Sequence, residues 1–226
     1  MTCAVKTLLA WALFAALLVW IAVLAFAHCF YNWDMVAYAA LAMDWSGAAD
    51  PHAAVYRAFE AEVPDSVMRE LIADGYPRQV AESSEAFASQ LPFYVVKPLY
   101  VVVLAGLHRL GVPVVAAIQA VSALCVMLTC TLILVWLRRS IPLGAAVLMT
   151  VALAYASRLV DLARVGTPDA LSVLLVLLAL FLICERRLPV AGSLLLLLAI
   201  AVRTNNVVFF VLATGFLVLR EAPPVR

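Results

Sequence analysis

Long apolar runs occupy most of this 226-residue chain, near residues 8–27, 113–136, 141–157, 169–184, 190–202 and 207–219. A helix needs about 20 apolar residues to cross a hydrocarbon core, and about 17 can suffice. The first three runs meet that length. The last three meet it once flanking Thr, Asn and snorkelling Arg side chains are counted. With 67% hydrophobic residues, 13% charged residues and a mean hydropathy of +1.08, the composition excludes an ordinary soluble domain. The expected architecture is all-α, a polytopic membrane helix bundle.

Charge gives that bundle an orientation. If the chain crosses at each run, one side carries Lys6, Arg138, Arg139, Arg186, Arg187, Arg220 and Arg226 against Glu185 and Glu221. The other side carries the remaining eight basic and twelve acidic residues. Short loops decide topology, so Arg138-Arg139 and Glu185-Arg186-Arg187 place the N-terminus in the cytoplasm. The start of the chain also resembles a signal peptide, with Lys6 before an apolar stretch that ends in Ala25-Phe26-Ala27. That stretch exceeds the usual 7–15 residues, which favours a retained helix. Of the cysteines, Cys3, Cys125, Cys130 and Cys184 fall largely within expected helices, where they act as small hydrophobes. Cys29 is expected to be exposed, with no evident partner.

Residues 28–112 form the one long polar segment, expected on the extracytoplasmic side. It opens with Tyr31-Asn-Trp-Asp34-Met-Val-Ala-Tyr38, where Tyr31 and Trp33 suit the interfacial aromatic belt. Val55, Phe59 and Val63, then Val67 and Leu71, recur at helical spacing. Pro64, Gly75 and Pro77 interrupt them, so two or three short amphipathic helices on the membrane face are expected. Lys97-Pro98-Leu99-Tyr100 leads into the apolar run 99–107, which is too short to span and reads as interfacial or re-entrant.

The densest polar feature inside the apolar region is Arg158-Leu-Val-Asp161-Leu-Ala-Arg164-Val-Gly-Thr-Pro168-Asp169. Ionisable groups beside hydrocarbon cost about 2.5–3.5 kcal/mol each on insertion scales, which marks such a cluster as a candidate site. The plainer reading is a surface turn closed by Arg–Asp pairs.

In order, these elements resemble the GT-C superfamily, integral membrane glycosyltransferases that use polyprenyl-phosphate sugars, among them protein O-mannosyltransferases and aminoarabinose transferases. The resemblance rests on an acidic residue just after the first helix (Asp34), a long first loop with jaw-like helices, Lys97-Pro98-Leu99-Tyr100, and the Arg158–Asp169 loop. The jaw element is one proline short of the Lys-Pro-Pro-Leu-Tyr found in many members. The likeness runs along nearly the whole chain and rests on the order and placement of these elements. It implies sugar transfer from a lipid-linked donor to an extracytoplasmic acceptor in a bacterial inner membrane. Members of the family are usually longer. A partner subunit supplying further C-terminal helices is therefore a second expectation, and a non-catalytic partner or transporter component is the competing reading. No internal repeat of the transporter kind is present.

Chemistry assigns provisional roles. Sugar transfer needs a base for the acceptor hydroxyl and positive charge for the departing phosphate. Asp34 is the candidate catalytic base or a metal ligand; as a plainer alternative it N-caps a helix starting at Met35. Lys97, Arg158, Arg164 and Arg203 are candidate donor-phosphate ligands, with Lys97 equally suited to snorkelling at the interface. Asp161 and Asp169 would bind a divalent cation, magnesium or manganese, or orient the arginines; Asp169 also suits a helix start. Tyr100 and Asn205 complete the candidate set, Asn205 lying with Arg203 and Asn206 in a turn that could equally be a helix cap. His28, His52 and His108 lack zinc spacing. No glycine-rich nucleotide loop is present, and the dispersed basic residues give no support to nucleic-acid binding.

Overall fold

The computed structural model describes residues 3–73 and 75–221; Arg226, counted above with the basic face, lies outside them. Among the described residues all regular structure is helical apart from one parallel bridge between Phe30 and Val165. Helix α1 (Cys3–Ala27) buries a single stripe of Ala10, Phe14, Leu17, Ile21 and Ala25. That three-to-four-residue spacing is what one helix face requires. The stripe packs on α9 (Val114–Leu137) and on α10 (Leu143–Ala156), while Leu8, Trp11, Val19 and Trp20 face outward.

Among the described residues, only α1 and α9 are single helices long and apolar enough to cross a membrane. The expected third span, 141–157, is helical over a shorter stretch than its apolar run. Its helix α10 has 14 residues, about 21 Å at 1.5 Å per residue. Pro142 stands at its N-cap, and Arg158 beyond its C-cap adopts a left-handed φ of 59°, so helix cannot propagate either way. A single turn α11 (Leu159–Leu162) follows, then α12 (Asp169–Cys184), α13 (Pro189–Val202) and α14 (Val207–Glu221), the last two joined by a 3₁₀ turn at Thr204–Asn206. The α12–α13 pair makes the most extensive helix contact in the molecule. Gly192 permits it: a β-carbon there would stand 2.9 Å from the Ala179 carbonyl oxygen, and such small residues let membrane helices approach closely.

The long polar segment folds into a cap. Helix α2 (Trp33–Trp45) is buried from Met35 through Ala42. Beside it lie α3 (Pro51–Glu62), α4 (Asp65–Leu71), α5 (Tyr76–Glu82) and α6 (Ser84–Gln90), four short helices where two or three were expected. Val55, Phe59, Val63 and Leu71 are buried, as their spacing implies. The extra boundary comes at Ser83, whose side chain accepts from the Ala86 amide and starts α6. Then α7 (Pro92–Val95) continues α6, and α8 (Pro98–Arg109) turns away from it by 113°, a bend that fits a re-entrant hairpin. The cap is tied to the bundle at Glu62, whose carboxylate accepts the Val115 and Ala116 amides at 3.1 and 3.2 Å. Those are free donors of the first turn of α9, which follows a Pro113 cap without any side-chain bond.

Alternation of the helices sorts the charges. Arg139 pairs with Glu185 at 2.9 Å, and Trp136 donates to Glu185 at 3.0 Å; Lys6 and Arg138 line one cleft at that same end. At the opposite end Arg164 donates to the His28 carbonyl, and Asp169 pairs with Arg203.

Candidate functional site

Two residue pairs, each at helical spacing, meet crosswise within the cap. Asp34 and Tyr38 are four apart in α2 and share a face. Tyr94 and Lys97, three apart, come from α7 and the bend before α8. The Tyr94 hydroxyl donates to Asp34 Oδ1 at 2.9 Å, and the Lys97 ammonium donates to the Tyr38 hydroxyl. The ammonium also stands 5.1 Å from the Tyr38 ring centre and 5.5 Å from that of Tyr94, within cation–π range. Tyr100 is fully buried and meets the Tyr38 ring edge-on at 5.1 Å, so it walls this pair. Asp34 does not cap its helix: α2 begins at Trp33, and Asn32 Oδ1 accepts the Met35 amide at 3.1 Å. The carboxylate of Asp34, one residue into the helix, is left free to face Tyr94.

Arg203 reaches this group from the far end of α13. It pairs with Asp169, the first residue of α12, which also accepts from the Thr167 hydroxyl at 2.9 Å. Its charge is felt by both Tyr38 and Lys97. Burial pulls the Lys97 ammonium below the usual lysine range, Asp34 opposes that, and Arg203 adds to it. Burial, followed by the bond to Asp34, keeps the Tyr94 phenol protonated far above neutral pH. One carboxylate, two cations and two phenols thus converge from elements widely separated in sequence. Asn205 is exposed in the 3₁₀ turn, whereas its neighbour Asn206 is buried and donates to Ser172 Oγ and the Ala199 carbonyl, each at 2.7 Å.

The remaining candidates form a second group. Arg158, Asp161 and Arg164 line a cavity of about 240 Å³ with Phe30 and Val165. Arg158 is exposed and pairs with Asp161 at 2.8 Å. Arg164 donates to the His28 carbonyl at 2.8 Å, while its own carbonyl accepts the Phe30 amide at 2.8 Å. Cys29 belongs here too. It is half-buried rather than exposed, its thiol lies 3.4 Å from the Arg164 carbonyl, and burial raises its pKa. Among the cysteines whose side chains are described, the exposed one is Cys184. None of Asp34, Lys97 or Arg203 lines the Arg158 cavity, so the loop carries two adjoining sets of charge, with Thr167 and Asp169 turned to the first.

The acids offered as cation ligands have other engagements: Asp161 with Arg158, Asp169 with Arg203, and Asp34 with Tyr94. Among the described residues no three His, Cys, Asp or Glu side chains gather as a metal site. Tyr38, Tyr94 and Thr167 were not singled out from sequence. The four-residue step from Asp34 to Tyr38 and the three-residue step from Tyr94 to Lys97 are the signals that could have found the two tyrosines; Thr167 carries no such spacing.

No family model, curated protein or solved structure matches this chain.

Proposed function

We propose that this membrane protein transfers a sugar from a polyprenyl-phosphate donor at the end of the bundle that holds Asp34, in the manner of a GT-C-like glycosyltransferase. The observation that carries the reading is the joining of Asp34 and Lys97 through Tyr94 and Tyr38 at the end of the bundle where Arg203 pairs with Asp169. Asp34 accepts the proton of the acceptor hydroxyl as its oxygen bonds to the anomeric carbon. The bond from that carbon to the phosphate oxygen breaks, and the polyprenyl phosphate departs with the electron pair. Lys97 and Arg203 meet the charge that develops there. Pairing with Asp169 leaves Arg203 with further N–H donors, since a guanidinium has five. Tyr94 holds the Asp34 carboxylate in one orientation. No step passes through a divalent cation. In this reading the Asp34 end is extracytoplasmic, the basic end cytoplasmic, and the membrane a bacterial inner membrane.

A lipid tail has a path. Between α12 and α14 runs an apolar groove made of two neighbouring cavities of about 300 and 280 Å³. It starts at Ser172 and Asn206, close to Arg203, and passes Leu180 and Phe209 to Cys184 and Phe216. The same groove would seat a helix of a partner subunit, and that observation favours the second reading, a non-catalytic or incomplete half.

Binding and turnover of a labelled polyprenyl-phosphate hexose or pentose in nanodiscs separates the two. Asp34→Asn is expected to keep donor binding and lose transfer. Arg203→Ala is expected to weaken binding by about 1.5–3 kcal/mol, the scale of a charge-assisted hydrogen bond. Wild-type protein that is folded yet binds no such donor, and that co-purifies with a second membrane chain, would overturn the enzyme reading in favour of the partner.

A further inference from the structure

The opposite end of the bundle holds a cleft that sugar transfer does not use. Its volume is about 560 Å³, within the range of about 300–1,000 Å³ usual for small-molecule pockets. Lys6 and Trp11 from α1, Arg138 at the end of α9, and Pro142, Gly144 and Ala145 at the start of α10 line it. Among the described residues no acidic one does. Arg138 and Arg139 are adjacent, yet their surroundings differ: Arg139 is neutralised by Glu185 at 2.9 Å. Among the described residues Lys6 and Arg138 have no ion-pair partner. Two uncompensated cations from distant parts of the chain therefore share one cleft at the membrane boundary.

The walls specify the rest of the ligand. Trp11 is 51% exposed and Leu8, one turn before it, is 70% exposed, on the face of α1 that turns away from the bundle toward hydrocarbon. Tryptophan favours the level of the lipid headgroups. A soluble anion would meet the two cations and leave this apolar wall bare, whereas a lipid satisfies both. Basic pockets between spanning helices select anionic headgroups by charge.

We infer that this cleft binds an anionic phospholipid, its headgroup phosphate held between Lys6 and Arg138 and its glycerol and first acyl carbons against Trp11. Arginine can grip such a phosphate through two parallel N–H bonds, and lysine adds a point charge. The site lies on the membrane face opposite Asp34 and stands or falls independently of the reaction proposed there.

The test titrates the purified full chain in detergent with phosphatidylglycerol bearing brominated acyl chains and reads quenching of tryptophan fluorescence. Parallel titrations use brominated phosphatidylcholine, and inorganic phosphate serves as competitor. Wild type is expected to quench at lower phosphatidylglycerol than phosphatidylcholine, and Trp11→Phe to lose that saturable part of the signal. Lys6→Gln with Arg138→Gln should weaken the phosphatidylglycerol midpoint about tenfold, each single variant by less, and Arg139→Gln should leave it in place. Equal binding of the two lipids, or an unchanged midpoint in the double variant with its helical circular dichroism intact, would overturn the site. Displacement of the lipid by equimolar phosphate would overturn the lipid assignment in favour of a free anion.

Discussion

At Gly166 the absence of a side chain holds the charged loop against the cap. A β-carbon there would stand 2.5 Å from Ile118 Cγ2 and 2.6 Å from Met35 Cγ. The first atom belongs to a β-branched side chain with little freedom to move. One residue earlier, Val165 pairs with Phe30 and its carbonyl accepts from Ser122 at 3.1 Å. The loop is therefore clamped by α2, α9 and the segment after α1 together. Gly166→Ala is expected to destabilise the fold by about 1–3 kcal/mol through overpacking. Gly106→Ala, where nothing lies within 4 Å, should be close to neutral. Thermal unfolding of the two variants in one detergent checks this, and equal midpoints would refute the clamp. In sequence Gly166 reads only as a break in an apolar run, because Met35 and Ile118 become its neighbours through folding alone. Asp34 shows the reverse: its placement after the first helix was legible, while Tyr94 as its partner depended on the docking of α7.

Among the helices, the join between α3 and α9 is where cap and bundle depend on one another. Burial pushes the Glu62 carboxyl above its usual range, and the amides of Ala116, Val115 and Val114, with His108, oppose that shift. Because the folded-state value is raised, the native protein holds this proton in a window where the unfolded chain has released it. Glu62 should accordingly favour the fold most below its unfolded value of about 4.3, and that contribution should be lost as pH rises through the folded value. Glu62→Gln keeps a side-chain oxygen for the α9 amides and removes the titration, so its stability should change less across that window than wild type. Glu62→Ala leaves the amides without their acceptor and should cost about 0.5–2 kcal/mol, the scale of a lost helix cap. Apparent melting temperatures from pH 4 to 7 would show this as a slope in wild type that is absent in Glu62→Gln; parallel slopes would refute it. Helix existence was readable from hydrophobic spacing, as the buried Val55, Phe59 and Val63 illustrate. Helix length was less readable. Composition extends the third apolar run to Ser157, but Pro142 and the left-handed Arg158 confine α10 to 14 residues.

For the molecule as a whole, the short helices and the charge asymmetry work together. At 14–16 residues, α10, α12, α13 and α14 are about 21–24 Å long against a hydrocarbon core of about 30 Å. Such helices fit a bilayer by local thinning, by snorkelling of flanking residues or by association with neighbours. Here they pack on the longer α9, directly or through one another. Arg158, Asp161, Arg203 and Asp169 lie at one set of their ends, and Arg138, Arg139 and Arg187 at the other. Pairing of Arg203 with Asp169 and of Arg158 with Asp161 lowers the cost of polar turns near hydrocarbon. The basic end has fewer compensating acids, and the proposed cytoplasmic placement of that end rests on this asymmetry. Ser89 in α6 and Ser140 after α9 are both exposed and belong to opposite ends. Introduced singly as Ser89→Cys and Ser140→Cys into a background without the five native cysteines, they should react differently with a membrane-impermeant maleimide on intact cells. Ser89→Cys is expected to label before lysis and Ser140→Cys only after it. Labelling of both from the same side would show that the two ends do not lie across a bilayer, and would remove the orientation on which the proposed donor access to Asp34 depends.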